Sequence, residues 1–169
     1  GAPVTARVSI SDGDDHPVAF PGDASYVDPQ SGRHYFYVED RAEFTLPAGR
    51  YNVLVARGPM SQLAKAEIRV RGGQNAELNL AVSQIWDAGA AGYVSADHHV
   101  HLNGDGHHRA DHDDALRLLA GESLDQLAPM SWNRWERRID RGIVGKESTR
   151  DGRTVHQGQE VRSHFHGHI

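Results

Sequence analysis

The first half of the chain alternates apolar and polar residues with a period of two, and this feature constrains its fold most strongly. In "VTARVSI" the residues Val4, Ala6, Val8 and Ile10 share one parity. Successive side chains of a strand point to opposite faces, so these four would lie on one side of a strand. The alternation recurs in "HYFYV", "EFTLPAGRYNVLV" and "AEIRVRGGQNAELNLAV". Six or seven short strands with frequent turns are predicted, which is typical of an antiparallel β-sandwich.

Two of the predicted strand pairs are hairpins. A strand containing Phe44 and Leu46 would pass through the "PAG" turn into a strand over residues 51–55. A second strand around Ile68 would pass through the glycine pair 72–73 into a strand over residues 76–80. Proline and glycine favour such turns because one fixes the backbone dihedral φ and the other tolerates positive φ.

The order of these elements is similar to a known family of small domains. The strand with its "DGDDHPV" turn, the "FTLPAGRYNVLV" hairpin and the closing "GG" hairpin resemble the carboxypeptidase-regulatory-like, transthyretin-like family of Ig-like sandwiches. The resemblance covers residues 4–82 and implies a module that supports a neighbouring domain. We therefore expect residues 1–88 to form a scaffold domain without chemistry of its own.

The sequence pattern changes after residue 85. The Gly/Ala-rich stretch "WDAGAAGYVSA" predicts a linker, so that residues 89–169 form a second domain. In "DDALRLLAGESLDQLA" the spacing of Ala115, Leu118 and Leu119 predicts a helix that breaks at Gly121. The following "RTVHQGQEV" returns to strand-like residues. A strand, a polar loop, a helix and another strand are the beginning of an α/β unit.

Charge and cysteine content exclude several classes of function. The formal net charge is -5 and the chain contains no cysteine. A chain without a basic surface is not expected to bind nucleic acid or an anionic membrane. Thiolate ligands are impossible, so any bound metal must be held by His, Asp or Glu.

The densest group of such residues is "SADHHVHLNGDGHHRADHDD", over residues 95–114. His99 and His101 are two residues apart, and on a strand both imidazoles would point to the same side. His107 follows in a glycine-rich loop. The pattern favours a metal site over the alternative, a polar loop whose histidines are merely solvated.

Four motifs in this half occur in the order found in one superfamily. "SADHHVHLNGDGHHR", "APMSWN", "GQEVRS" and "HGHI" resemble the PHP (polymerase and histidinol phosphatase) superfamily of metal-dependent phosphoesterases. They are most similar to its CehA/McbA-like branch, in which many members carry an N-terminal sandwich. The resemblance implies a distorted α/β barrel and hydrolysis of a phosphoester or another small ester.

The same resemblance implies a set of metal ligands. They would be His99, His101, His107, Glu160 as a bridging carboxylate, and His168. Asp97 would lie behind them and orient an imidazole. Imidazole and carboxylate ligands without thiolate suit zinc, manganese or iron.

Barrels of this kind take roughly 200 residues or more, so we expect residues 89–169 to hold only the opening part of a catalytic domain, with little turnover. A different class of function fits the same residues: a structural or adhesive β-sandwich protein that self-assembles through exposed strands, with or without metal. A third is a flexible metal-scavenging module that orders on binding. The sandwich favours an extracellular or periplasmic location.

Overall fold

A computed structural model describes residues 2–19, 26–28, 30–103, 110–134, 137–138, 140–163 and 167–168, without the side chains of 132–134, 137–138, 161–163 and 167–168. The chain forms two compact units, residues 1–87 with 121–123 and residues 88–120 with 124–169. The domain assignment 1–88 and 89–169 stays a prediction, because compactness does not test whether each part folds independently. The β-rich fold class is confirmed.

The first unit contains one five-stranded sheet in its described part. Its strands are β1 (Ala6–Asp12), β2 (Tyr26–Val27), β3 (His34–Val38), β4 (Gly49–Ala56) and β5 (Ala64–Val70). They are ordered β2-β3-β1-β4-β5, and every neighbouring pair is antiparallel. Val8 lies opposite Phe36 on β3 and opposite Val55 on β4.

The core of this unit follows from the predicted alternation. Ile10, Phe36 and Tyr51 are buried together, and Val8 and Val53 pack against them. The Tyr51 hydroxyl donates to the carbonyl of Pro47 at 2.9 Å. A buried tyrosine needs a hydrogen-bond partner for its hydroxyl. This bond therefore lets the ring pack in the core without leaving the hydroxyl unpaired.

Two predicted strands of the first unit are wrong. Residues 41–47 and 74–83 have no strand structure. Both edges of β4 are occupied by β1 and β5, so the segment with Phe44 and Leu46 cannot pair with β4 as predicted. These side chains still serve the core, since Phe44 lies 4.9 Å from Phe36 between ring centroids and Leu46 packs on the cluster. Their apolar character reflects packing rather than a sheet ladder.

The second unit combines a mixed sheet with one described helix. Its elements are β6 (Ala96–Val100), α1 (His112–Glu122), β7 (Gln126–Arg134), β8 (Arg137–Arg138), a 3-10 turn (Arg141–Ile143), β9 (Glu147–Arg150), β10 (Arg153–His156), β11 (Gly158–Ser163) and β12 (Gly167–His168). The sheet order is β12-β11-β7-β10-β9, with β6 and β8 also paired to β7. β6, β10 and β11 run parallel to β7.

The apolar face of α1 packs on this sheet. Ala115, Leu116 and Leu119 are buried against Leu127 of β7 and Val155 of β10. The predicted helix is confirmed, but it ends at Glu122, one residue beyond the predicted break. Leu127 belongs to β7 rather than to a continuation of the helical pattern.

A side-chain cap defines the start of α1. Oδ1 of Asp111 accepts hydrogen bonds from the backbone N–H of Asp113 and Asp114, and Oδ2 of Asp114 accepts one from the N–H of Asp111. This reciprocal arrangement is a capping box, which satisfies N–H groups that a helix leaves unpaired at its first turn. The bonds from the backbone N–H of Asp114 and Asp113 hold the pKa of the Asp111 carboxyl below its ordinary value, against a smaller effect of burial.

In the described part of the chain no helix is long and apolar enough to cross a membrane.

Candidate metal site

The candidate site lies beside β7, with one contributing segment on each side of this strand. His99 belongs to β6 and His101 follows it directly, whereas Glu160 belongs to β11. β7 pairs in parallel with both strands, with Val100 opposite Pro129 and Gly158 opposite Met130. Because parallel strands have their carboxyl ends at the same edge, the sheet topology brings the end of β6 close to β11.

A β-bulge shapes the histidine-bearing end of β6. Asp97 pairs with Leu127 and Val100 with Pro129, so β6 has one more residue than β7 between these pairs. The prediction that His99 and His101 point to the same side assumes a regular alternation of side chains along the strand. A bulge interrupts that alternation and changes the direction of the side chains. The two imidazoles nevertheless meet edge to face, with ring centroids 5.7 Å apart.

The ring of His101 is held from both sides. Its Nδ1 lies 3.0 Å from the carbonyl oxygen of Met130, and its Nε2 lies 3.0 Å from Oε2 of Glu160. A carbonyl can only accept a hydrogen bond, so Nδ1 carries the proton. Nε2 faces a carboxylate oxygen at hydrogen-bond distance, so a proton or a metal ion can lie between the two atoms.

His99, His101 and Glu160 form a group that could hold a metal ion. Their ligand atoms all lie within 4.8 Å of one another. Glu160 is fully buried, the His101 side chain is 24% exposed, and His99 is exposed. Atoms that ligate one zinc ion lie roughly 3 to 3.5 Å apart, from metal–ligand distances near 2 Å. The 3.0 Å separation in the His101–Glu160 pair and the donor types therefore fit a divalent cation.

The structure does not test the other predicted ligands. His107 lies outside the described residues, and so does the side chain of His168, whose backbone pairs with Arg162 between β12 and β11. Both stay predictions. Oδ1 of Asp97 accepts a hydrogen bond from the backbone N–H of His99, at 3.0 Å. In this contact Asp97 fixes the bulge rather than an imidazole.

Two features of the site were missed by the sequence analysis. Met130 holds His101 through a main-chain carbonyl, which leaves no signal in residue identity. His112 is buried and bonded to Ser148 and Gln157. The only clue to it in the sequence is its place directly after Asp111, at the start of the predicted helix.

A second group of potential ligands lies in the turn after β1. Ligand atoms of Asp12, Asp14 and His16 are within 4.8 Å of one another. Oδ1 of Asp12 accepts from the backbone N–H of both Asp14 and His16, and the bond from His16 is the main reason that the pKa of Asp12 is lowered. These contacts are those of a turn stabilised by its own aspartate.

Comparisons of the chain with protein-family models, with curated proteins and with solved structures found no match. The fold and the site define a β-rich protein with a histidine and carboxylate cluster that could hold a metal ion. Any more specific assignment depends on the geometry of that cluster.

Proposed function

We propose that this protein is a metal-dependent hydrolase of the PHP type, acting on a small phosphoester or carboxylic ester. One observation carries the proposal: Nε2 of His101 lies 3.0 Å from the buried Oε2 of Glu160 while Nδ1 is held by Met130. These two residues and His99 offer ligand atoms that all lie within 4.8 Å of one another.

The burial of Glu160 supports a bound cation. A carboxylate removed from water loses several kcal/mol of solvation unless a positive charge compensates it. Glu160 and His101 would hold the ion on its protein side, and the exposed His99 would hold it where substrate can approach. A divalent ion in this position would lower the pKa of a coordinated water and polarise a phosphoryl or acyl oxygen. Zinc, manganese and iron suit these ligands.

The first unit would act as an Ig-like scaffold of the carboxypeptidase-regulatory-like type. Its five antiparallel strands and its alternating core support this proposal. A scaffold of this kind fits an extracellular or periplasmic protein. The complete barrel and the remaining ligands, His107 and His168, are part of the same proposal and rest on the sequence motifs.

The metal-binding part is tested on the 169-residue chain. After treatment with a chelator, zinc and manganese are titrated in by calorimetry for the wild type, His101→Ala and Glu160→Gln. We expect one high-affinity site in the wild type and its loss in both variants. His98→Ala is the matched control, because His98 is an exposed neighbour on the same strand. Equal affinity in the wild type and Glu160→Gln would refute the site.

The hydrolytic part is tested on the natural polypeptide that contains these residues. Nitrophenyl phosphate, bis-nitrophenyl phosphate and nitrophenyl acetate are assayed with and without added metal. Turnover that depends on metal and is lost in His101→Ala supports the proposal. Metal-loaded protein that hydrolyses none of the three classes would favour a non-catalytic role.

Self-assembly is a second candidate function, and the sheet edges favour it. β5 is an edge strand of the first unit, and β9 is an edge of the second within the described residues. Edge strands present unpaired backbone groups that can bind a second copy. Native mass spectrometry at micromolar concentration separates the candidates: a homo-oligomer that persists with chelator supports assembly, and a monomer opposes it.

A further inference from the structure

The pairing between β7 and the segment β10–β11 is interrupted beside the candidate metal site. The ladder passes from Val155 opposite Leu127 to Gly158 opposite Met130, with the same offset on both sides of the interruption. Pro129 lies inside this interval and has no N–H to donate. No main-chain pair joins the two strands within this interval, so a side-chain bond can add to the hold of the ladder there.

Gln157 occupies the interval on the opposite strand and is almost fully buried. Its Nε2 donates to Oγ of Ser131 at 3.0 Å, so this bond runs from the interval to a residue that the ladder places opposite Gln159. Its main chain is fixed too, since its N–H donates to the carbonyl of Lys146 and its carbonyl accepts from the N–H of Gly145. Gln157 thus bridges β7 and the turn before β9.

These groups belong to one continuous chain of hydrogen bonds. Gln157 donates through Nε2, so its Oε1 accepts from Nε2–H of His112, at 3.3 Å. Nδ1 of His112 then accepts from the hydroxyl of Ser148, at 2.9 Å. At the other end the hydroxyl of Ser131 donates to the carbonyl of Asp140, at 3.4 Å. Each of these four side chains has at least one partner in the chain of bonds, and a connected network of this kind favours one arrangement of its strands.

The network is connected to the metal ligands through both strands. Ser131 directly follows Met130, whose carbonyl holds His101. Gln157, which bonds to Ser131, lies three residues before Glu160 on the same segment. A slip of one residue would move Glu160 by about 3.3 Å and turn its side chain to the other face of the sheet. The contact between Glu160 and His101 therefore depends on this register, to which the bond between Gln157 and Ser131 adds a side-chain link beside the ladder pairs of β7 and β11.

We infer that Gln157 and Ser131 are positioning residues, whose side-chain hydrogen bond sets Glu160 opposite His101 for metal binding. The inference rests on the proposed function, because it assumes that this pair holds a metal. Groups that orient metal ligands typically contribute 10- to 100-fold to affinity. Loss of this bond is expected to weaken metal binding by at least about tenfold and to change the ligand geometry.

The test uses Co²⁺ as a spectroscopic probe and zinc competition for affinity. The variants are Gln157→Met, which keeps a similar volume without hydrogen bonds, Ser131→Ala, and the double variant. Ser95→Ala is the matched control: it removes a hydroxyl that bonds to Asp125 in the same unit, next to the amino end of β6. Circular dichroism and the melting temperature are measured for all four.

We expect both single variants to weaken metal binding by about tenfold or more and to shift the visible Co²⁺ absorption. The double variant should be no weaker than the worse single variant, because both remove the same bond. Ser95→Ala should lower the melting temperature and leave affinity and spectrum unchanged.

The outcomes separate this inference from the proposed function. If the wild type binds no metal, both fail. If it binds metal and folded Ser131→Ala retains its affinity and spectrum, the inference is wrong and the proposed function stands. If Ser95→Ala loses as much affinity as Ser131→Ala, the effect is general destabilisation and the inference is also wrong. Ser131→Ala decides the question even if Gln157→Met does not fold.

Discussion

The two units each contain a histidine and carboxylate group with metal-ligand spacing, and the two groups are built differently. Asp12, Asp14 and His16 are neighbours in one turn, and the aspartate satisfies the backbone of that turn. His99, His101 and Glu160 come from distant segments, and Glu160 is buried against His101. The turn explains the first group, because the Asp12 carboxylate accepts hydrogen bonds from the backbone of that turn. A buried carboxylate assembled over a long sequence separation needs a positive charge beside it, and a protonated His101 or a bound metal ion can supply that charge.

The largest expected effect separates these two groups by metal affinity. Glu160→Gln removes the buried charge that a cation compensates, and we expect zinc affinity to fall by about 100-fold or more. Asp12→Asn should leave zinc affinity unchanged, since its oxygens serve the turn. Calorimetric titration of both variants checks this. A larger loss in Asp12→Asn than in Glu160→Gln would reverse the comparison.

Core packing in the second unit gives the next largest effect. Leu119 is fully buried between α1 and the sheet, so Leu119→Ala should lower the free energy of unfolding by about 2 to 5 kcal/mol. Leu63 in the first unit is 49% exposed, and Leu63→Ala should change it by less than about 0.5 kcal/mol. Urea unfolding followed by circular dichroism measures both. Similar losses for the two variants would show that α1 does not pack as described.

The helix cap should contribute a smaller and pH-dependent amount. Asp111→Ala is expected to cost about 0.5 to 2 kcal/mol at neutral pH. The pKa of Asp111 is lowered in the folded protein, so its contribution is complete above the unfolded pKa near 3.9 and is lost as pH falls through the folded value.

Asp111→Asn keeps a capping side chain that does not titrate. Relative to this variant, the wild type should lose stability as the pH is lowered below about 4. Thermal unfolding between pH 2.5 and 7 tests the sign. A wild type that gained stability relative to the variant in that range would contradict the assignment.

The smallest expected effect belongs to the first unit. Tyr51→Phe removes one hydrogen bond to Pro47 and leaves the ring in the core, so it should cost about 0.5 to 1.5 kcal/mol. Metal affinity should not change, in contrast to Ser131→Ala in the second unit. Urea unfolding and zinc titration of the same sample provide both readings.

The sequence predicted most of the strands of the first unit but placed some on packing residues, and it did not predict β7 of the second unit. The alternation around Val8, Phe36 and Val53 predicted β1, β3 and β4, because these residues both pair and pack. The same alternation around Phe44 and Leu80 predicted strands that are absent. Apolar alternation reflects side-chain packing, such as that of Phe44 on Phe36, whereas a strand also needs a neighbouring strand to pair with.

Residue types and spacing pointed to His99 and His101 as metal ligands, and the resemblance of the motifs to the PHP superfamily added Glu160. The structure brings these three together. His107 and His168 were predicted by the same motifs and stay predictions.

The tertiary structure alone decided how the ligands are held. The Met130 carbonyl behind His101, the bulge in β6 and the bond from Gln157 to Ser131 have no counterpart in the residue pattern. Each depends on which backbone or side-chain group lies opposite in the sheet. The sequence by itself determined which groups can bind a cation, and strand register decided which of them meet, since hydrogen-bond partners across a sheet are set by distance in space rather than along the chain.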